Sequence, residues 1–245
     1  RREETDGSFS VETSLGTFET KRLVIATGGL SLPKLGATDF AYRIARQFGL
    51  NVLPGRAGLV PFTFGGKDLE FCRALSGISL ECEAEVATPS TKKHRISFQE
   101  QFLFTHRGLS GPAMLQVSSF WQPPGKLRIN LFPENDARAW LEENRTSGLR
   151  LDTLLSRRFP ERFATAWTSK LAPLRPVREY GAKELDDIAH RLENWALHPA
   201  GTEGYATAEV TVGGIDTREL HSKTLEARAV PGLHFIGEAV DVTGW

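Results

Sequence analysis

Two short, mainly apolar runs that end on glycine constrain this chain more than any other feature. The first is Leu23-Val24-Ile25-Ala26, followed by Thr27-Gly28-Gly29. The second is Leu233-His234-Phe235-Ile236, followed by Gly237-Glu238 and then Asp241. Runs of this length and β-branched character suit parallel strands buried on both faces. In an open parallel sheet, ligands sit beyond the carboxyl ends of the strands, where the connecting loops open. Glycine there lets backbone N–H groups approach a ligand closely, and a carboxylate such as Asp241 can accept hydrogen bonds from sugar hydroxyls. The two runs stand at opposite ends of a 245-residue chain. What lies between them therefore reads as an insertion into one α/β domain.

The first part opens with a hairpin. Ser8–Thr13 and Thr17–Thr20 alternate around a turn at Ser14-Leu15-Gly16. A helix is predicted from Asp39 to Phe48, with apolar Phe40, Ile44, Ala45 and Phe48 at helical spacing and Gly49 as its C-cap. The pattern then changes: Ile78–Val86, Ile96–Phe104 and Lys126–Leu131 read as antiparallel strands. A helix entered through Ser110-Gly111-Pro112 interrupts them. From Asn135 to about Asn194 the pattern is helical: Asn135 or Asp136 caps one helix, Asp152 another, and Lys183–Leu192 forms a third. Tyr205–Val212 reads as a strand stopped by Gly213-Gly214. These patterns divide the chain into residues 1–52, a β-rich insertion at 53–134, a helical insertion at 135–204, and residues 205–245.

Lys+Arg and Asp+Glu both number 30. A balanced charge argues against a general nucleic-acid or anionic-membrane binder, which needs a surplus of cations. The basic run Lys92-Lys93-His94-Arg95 reads as a solvated hairpin. The two cysteines, Cys72 and Cys82, match no zinc or redox spacing, and no metal site is expected. With no long apolar run and no leader pattern in Arg1–Asp6, a cytoplasmic protein is expected. A chain without Met at position 1 reads as a piece of a longer gene product.

Four segments in order sharpen the reading. These are Ala26–Thr38, Phe104-Thr105-His106-Arg107-Gly108-Leu109-Ser110-Gly111-Pro112, Ala208–Ile215 and Phe235–Asp241. Together they resemble the BaiN-like flavoproteins, also described as aminoacetone-oxidase-like or 3-dehydro-bile-acid-reductase-like FAD-binding proteins. The resemblance spans essentially the whole chain. It implies an α/β fold (α+β overall), in which a partial Rossmann-type FAD-binding domain is interrupted by a β-barrel-like and small helical insertion. It further implies an FAD-dependent oxidoreductase acting on a small organic substrate, with NAD(P)H as a possible electron donor. Ala26, Thr27, Gly28 and Gly29 would lie against FAD. Gly237, Glu238 and Asp241 would hold its ribityl-diphosphate, and Thr211, Gly213 and Gly214 would lie near the flavin ring.

The departures define an alternative. The family begins with a strand and a G-x-G-x-x-G loop at a helix N-terminus that binds pyrophosphate, and no such loop occurs here. Asp39-Phe40-Ala41 stands where the family has a glycine-rich step, and the sequence ends at Thr243-Gly244-Trp245, short of a flavin-contacting helix. The alternative is an FAD-incompetent piece serving as a structural or binding module. Of the remaining candidates, His106 is an acid/base group or, better, a loop histidine that orients the insertion. Glu238 suits a ligand-binding or structural carboxylate better than a catalytic one. Phe102 and Phe104, on one face of a strand, read as core, and Trp195 and His198 as packing at a domain boundary.

Overall fold

The computed structural model describes residues 7–87, 95–171 and 174–244. The chain opens with strands β1 (Phe9–Thr13), β2 (Gly16–Thr20) and β3 (Leu23–Ile25), then helix α1 (Phe40–Gln47) and strand β4 (Val52–Gly58). Next come β5 (Phe62–Thr63), α2 (Gly66–Ala74), β6 (Ser79–Ala87), β7 (Arg95–Phe104), β8 (Gly108–Ser110), α3 (Pro112–Ser118) and β9 (Leu127–Asn130). Helices α4 (Ala137–Glu143), α5 (Leu151–Leu155), α6 (Glu161–Thr168) and α7 (Ala182–Glu193) precede short strands β10 (Trp195–Leu197) and β11 (Gly201–Thr202). The chain closes with β12 (Val210–Ile215) and β13 (Leu233–Phe235). The class is α+β. The chain forms two compact units: its two ends, up to Gly58 and from Gly204, make one, and Leu59–Glu203 makes the other.

The inserted unit is built on one antiparallel sheet of order β10-β9-β6-β7-β8-β5-β11. Its two edge strands follow each other in sequence, joined by residues 198–200 alone. Laid flat, seven strands would be about 29 Å wide, whereas four Cα steps reach about 14 Å at most. The sheet therefore has to curl until its edges approach, which makes it barrel-like. Within it, Phe104 of β7 contacts Phe71 of α2, Phe163 of α6 and Trp195 of β10, with ring centroids 6.0, 6.0 and 6.3 Å away. Barrel strands and helices thus share a core, and Phe102 and Phe104 are buried in it as expected. Trp195 belongs to the same core, while His198 is exposed.

The helices start where local chemistry permits. Asp136 Oδ1 accepts a hydrogen bond from Ala139 N at 2.9 Å, capping α4. Asp152 does not cap α5, contrary to expectation. Arg150 holds the N-cap position, and Asp152 sits inside the first turn, bonded to Thr153 N and paired with Arg150. Such a carboxylate still favours a helix start through the helix dipole, which is why the sequence signal lay two residues late.

In the unit formed by the chain ends, β1 and β2 make the expected hairpin, β4 pairs antiparallel with β12, and β3 pairs parallel with β13. Three details differ from expectation. Val24 is 52% exposed, so β3 is not covered on both faces. α1 buries Ala41, Tyr42 and Ala45 rather than Phe40, which is 39% exposed. Residues 204–206 form a 3-10 turn, the strand begins only at Val210, and Gly213-Gly214 lies within it as a bulge rather than ending it. The unbroken β-branched run Val210-Thr211-Val212 starts at Val210, and glycines tolerate the kinked register of a bulge. The basic run at Lys92–His94 lies outside the described residues.

Candidate functional site

The parallel pairing of β3 with β13 brings the two glycine-ended runs together. Their registers align Leu233 with Leu23, His234 with Val24 and Phe235 with Ile25. The pairing extends one step further, because Ile236 N donates to Ile25 O at 3.1 Å. Ala26–Gly29 and Ile236–Ala239 therefore leave the sheet side by side at its carboxyl edge. Ala26, Thr27 and Gly237 are exposed there.

Behind this edge, Thr211 organises the loops. It is 2% exposed, and its backbone N donates to Glu238 Oε1 at 2.6 Å. Its Oγ1 accepts from Leu30 N at 2.8 Å and lies 3.2 Å from Ser31 Oγ. One residue of β12 thus holds both strand-end loops. Gly29 makes the approach possible: a Cβ there would stand 2.6 Å from Thr211 Oγ1 and 2.8 Å from Glu238 Oε1. Gly214 plays the same part on the other side, where a Cβ would stand 2.7 Å from Ala239 O. Asp241 is tied to β12 through its backbone N, which donates to Ile215 O at 2.9 Å.

Three polar residues that the sequence reading did not single out gather around this clamp. The Tyr42 hydroxyl, from the buried face of α1, lies beside Thr211 and Glu238 without a hydrogen bond of ordinary geometry. Burial, then the Glu238 charge and Tyr205, push its pKa up to about 12. The Tyr205 hydroxyl is buried without a partner among the described residues, and its pKa is raised by burial against the opposing pull of Arg56. Arg56 has its own pKa lowered by burial, while Tyr205 and Asp241 act to raise it. The only signal in sequence was that Tyr42 falls one helical turn before the core residue Ala45. Tyr205 and Arg56 gave none.

The ten predicted cofactor residues therefore fall within one unit. Gly28, Gly29, Thr211, Glu238 and Gly237 surround the shared strand edge, Gly213 and Gly214 form the bulge beside it, and Ala26, Thr27 and Asp241 flank it. His106 falls in the inserted unit, on an exposed turn. Among the described residues no group of histidine, cysteine and carboxylate side chains could hold a metal ion, and no helix is long and apolar enough to cross a membrane. Both cysteines are buried, and burial raises both thiol pKa values, that of Cys72 to about 12.

Residues 56–210 match the family model of the HI0933-like protein barrel and H2TH domain. The chain belongs to the HI0933-like family. It is 48% identical over 246 residues to a ribosomal RNA dihydrouridine synthase of Escherichia coli and 44% identical over 246 residues to one of Haemophilus influenzae. Each alignment covers 97% of this chain and 58% of the relative. Similarity to the 3-dehydro-bile acid delta(4,6)-reductase of Clostridium scindens is lower, 26% over 252 residues, covering 96% of this chain and 60% of that protein. The BaiN-like resemblance is thus the more distant part of a relationship in which the HI0933-like synthases stand nearer. The chain spans less than two thirds of the length of these relatives. All three carry the names of enzymes.

Proposed function

We propose that the HI0933-like protein to which this chain belongs is a flavin-dependent reductase that converts uridine in ribosomal RNA to dihydrouridine. The observation that carries the reading is the pairing of the two glycine-ended loops at one sheet edge, held by Thr211 and Glu238, in a chain 48% identical to a synthase of that name. The two kinds of named relative share a chemistry. Dihydrouridine formation saturates a carbon–carbon double bond conjugated to a carbonyl, and a 3-dehydro, delta(4,6) steroid offers the same grouping. In both, two electrons and two protons add across the bond.

The residues present fit a flavin dinucleotide. Gly28 and Gly237 both hold φ +74°, with open space where a side chain would stand, and the buried Tyr205 hydroxyl has no partner among the described residues. Ala26, Thr27, Gly28, Gly29 and Gly237 would hold the dinucleotide, and Asp241 would accept from its sugar or ribityl hydroxyls. A flavin held by these residues would supply hydride chemistry, with NAD(P)H as its electron source. Thr211 and Glu238 keep the loops in place, and both are already engaged with backbone N–H groups. Tyr42, with its pKa raised to about 12, stays protonated at neutral pH, so its hydroxyl keeps a proton to donate. RNA as substrate departs from the expectation drawn from balanced net charge, and it requires that phosphate contacts come from a local cluster of cations.

The test is to purify the full-length gene product and record its visible spectrum. It is then incubated with NADPH and unmodified ribosomal RNA, and digested nucleosides are examined for uridine that has gained two hydrogens. A yellow protein that forms dihydrouridine is expected. A colourless protein, or a yellow one that leaves the RNA unchanged while reducing steroid enones, would overturn the reading.

A further inference from the structure

The sequence segment Thr105-His106-Arg107-Gly108 has no part in the strand-edge site, yet the inserted unit builds it with unusual care. It forms the tight turn between β7 and β8. Thr105 N donates to Gly108 O at 2.8 Å, and the Thr105 hydroxyl accepts from Arg107 N at 3.2 Å and from Gly108 N at 3.0 Å. Both tip carbonyls are occupied as well. His106 O accepts from Arg73 Nε at 3.2 Å, and Arg107 O accepts from Phe64 N at 3.2 Å. Gly108 presses on β5, where a Cβ would lie 2.2 Å from Phe62 O. The backbone of the tip is therefore pinned from four sides, while the His106 and Arg107 side chains stand exposed.

Such a turn displays charge rather than burying it. Arg73, at the end of α2, meets the tip through one guanidinium nitrogen. Arg162 continues the cationic strip, because its Nη2 donates to Ser76 O at 2.7 Å, one turn beyond Arg73. Arg73, His106 and Arg107 border a surface cavity lined also by Thr63, Phe64, Leu69 and Thr202, and Arg162 stands outside that lining. The acid in contact is Glu203, a largely buried carboxylate 3.5 Å from Arg107 Nη1, and one contact of that length leaves the other donors of the exposed guanidinium open to a further partner. A rigid backbone carrying arginines suits phosphate, since the guanidinium fork matches its oxygens and little ordering entropy remains to be lost. In a chain with no net charge, phosphate contacts need such a local concentration of cations.

Resting on the reading of ribosomal RNA as substrate, we infer that the His106–Arg107 turn, with Arg73 and Arg162, is a docking site for the RNA phosphate backbone. The test uses the full-length protein and a fluorescein-labelled, uridine-containing single-stranded RNA, with affinity read by anisotropy across a salt series. The double variant Arg73→Ala/Arg107→Ala is expected to weaken binding by roughly tenfold or more and to make the logarithmic salt slope shallower by about 1.4, the value for two lost phosphate contacts on a single strand. Arg145→Ala, in the turn after α4 elsewhere in the unit, should bind as the parent does. Should Arg73→Ala unsettle the fold, the pair His106→Ala/Arg107→Gln leaves every backbone bond of the turn in place and should lower the slope by about 0.7 or more. Parent and variants with equal affinity and slope would overturn this site and leave the RNA reading standing. A parent that binds no RNA would overturn both.

Discussion

Thr211 N donates to Glu238 Oε1 at 2.6 Å, joining residues 27 positions apart in sequence across the base of the two glycine loops. Glu238 is thereby committed to the backbone of β12 rather than to a reacting atom. Replacing it with alanine strands a buried N–H, which costs about 1–3 kcal/mol. Glu238→Gln keeps an oxygen in place and should cost less. Thermal unfolding of the two variants gives the comparison, and equal melting temperatures for Glu238→Ala and the parent would contradict the clamp.

The glycines at this edge serve different ends, and one substitution tells them apart. Gly29→Ala places a methyl 2.6 Å from Thr211 Oγ1 and 2.8 Å from Glu238 Oε1. The clamp must then open, and a loss of about 1–3 kcal/mol is expected. Gly237→Ala meets no atom within 4 Å but must hold φ +74°, a cost of about 1–2 kcal/mol from conformation alone. Double-mutant cycles with Thr211→Ala, which removes the Oγ1 that the new methyl would meet, separate the cases. Gly29→Ala should couple to Thr211, and Gly237→Ala should act additively.

Tyr42 links the site to stability at alkaline pH. Its pKa is near 12 in the folded chain, against an ordinary value of 10.0. Between those values the unfolded chain has lost the phenolic proton while the folded chain keeps it, so stability falls as pH rises from about 10 to about 12. A two-unit difference corresponds to roughly 2–3 kcal/mol at the upper end. Tyr42→Phe should flatten that part of the curve measured by denaturant unfolding. A slope unchanged by the substitution would show that Tyr42 titrates normally.

The strand-edge loops were legible because a short apolar run followed by glycine is a local signal, and two such runs imply a parallel pair. Other features rest on pairings that no local pattern records. Tyr42 and Tyr205 both bear on the clamp, yet the chain leaves the unit and returns between them. The helix period over 39–48 was read correctly, and Ala45, Ile44 and Phe48 do pack on the core, but Phe40 does not. Phe40 outranks Tyr42 in hydrophobicity, whereas the fold buries Tyr42 beside Thr211. Gly213-Gly214 was read as a stop because glycine usually ends a strand, but here it is the bulge that lets β12 approach both β4 and Ala239. The curl of the seven-stranded sheet was expected from the family resemblance, not from any local pattern. It follows from strand order, which places β10 and β11 at opposite edges although only residues 198–200 separate them.

That curl has a consequence for how the inserted unit unfolds. Phe104 sits on β7 near the middle of the sheet, 1% exposed, and its ring meets Phe71 of α2, Phe102 of its own strand, Phe163 of α6 and Trp195 of edge strand β10. Removing it opens a cavity touching barrel and helices at once, and Phe104→Ala should cost about 3–5 kcal/mol. Because those elements share the core, they should melt together. Tryptophan fluorescence, to which Trp140 and Trp167 contribute from the helices and Trp121 and Trp195 from the sheet side, and far-ultraviolet circular dichroism, which reports the whole chain, should show the inserted unit's transition displaced by the same amount. Phe163→Ala removes a ring from the helical side of the same cluster, and combined with Phe104→Ala it should cost less than the sum of the two. Strictly additive losses, or a fluorescence transition part of which stays at its parent position in Phe104→Ala, would mean that the barrel and the helices hold separate cores.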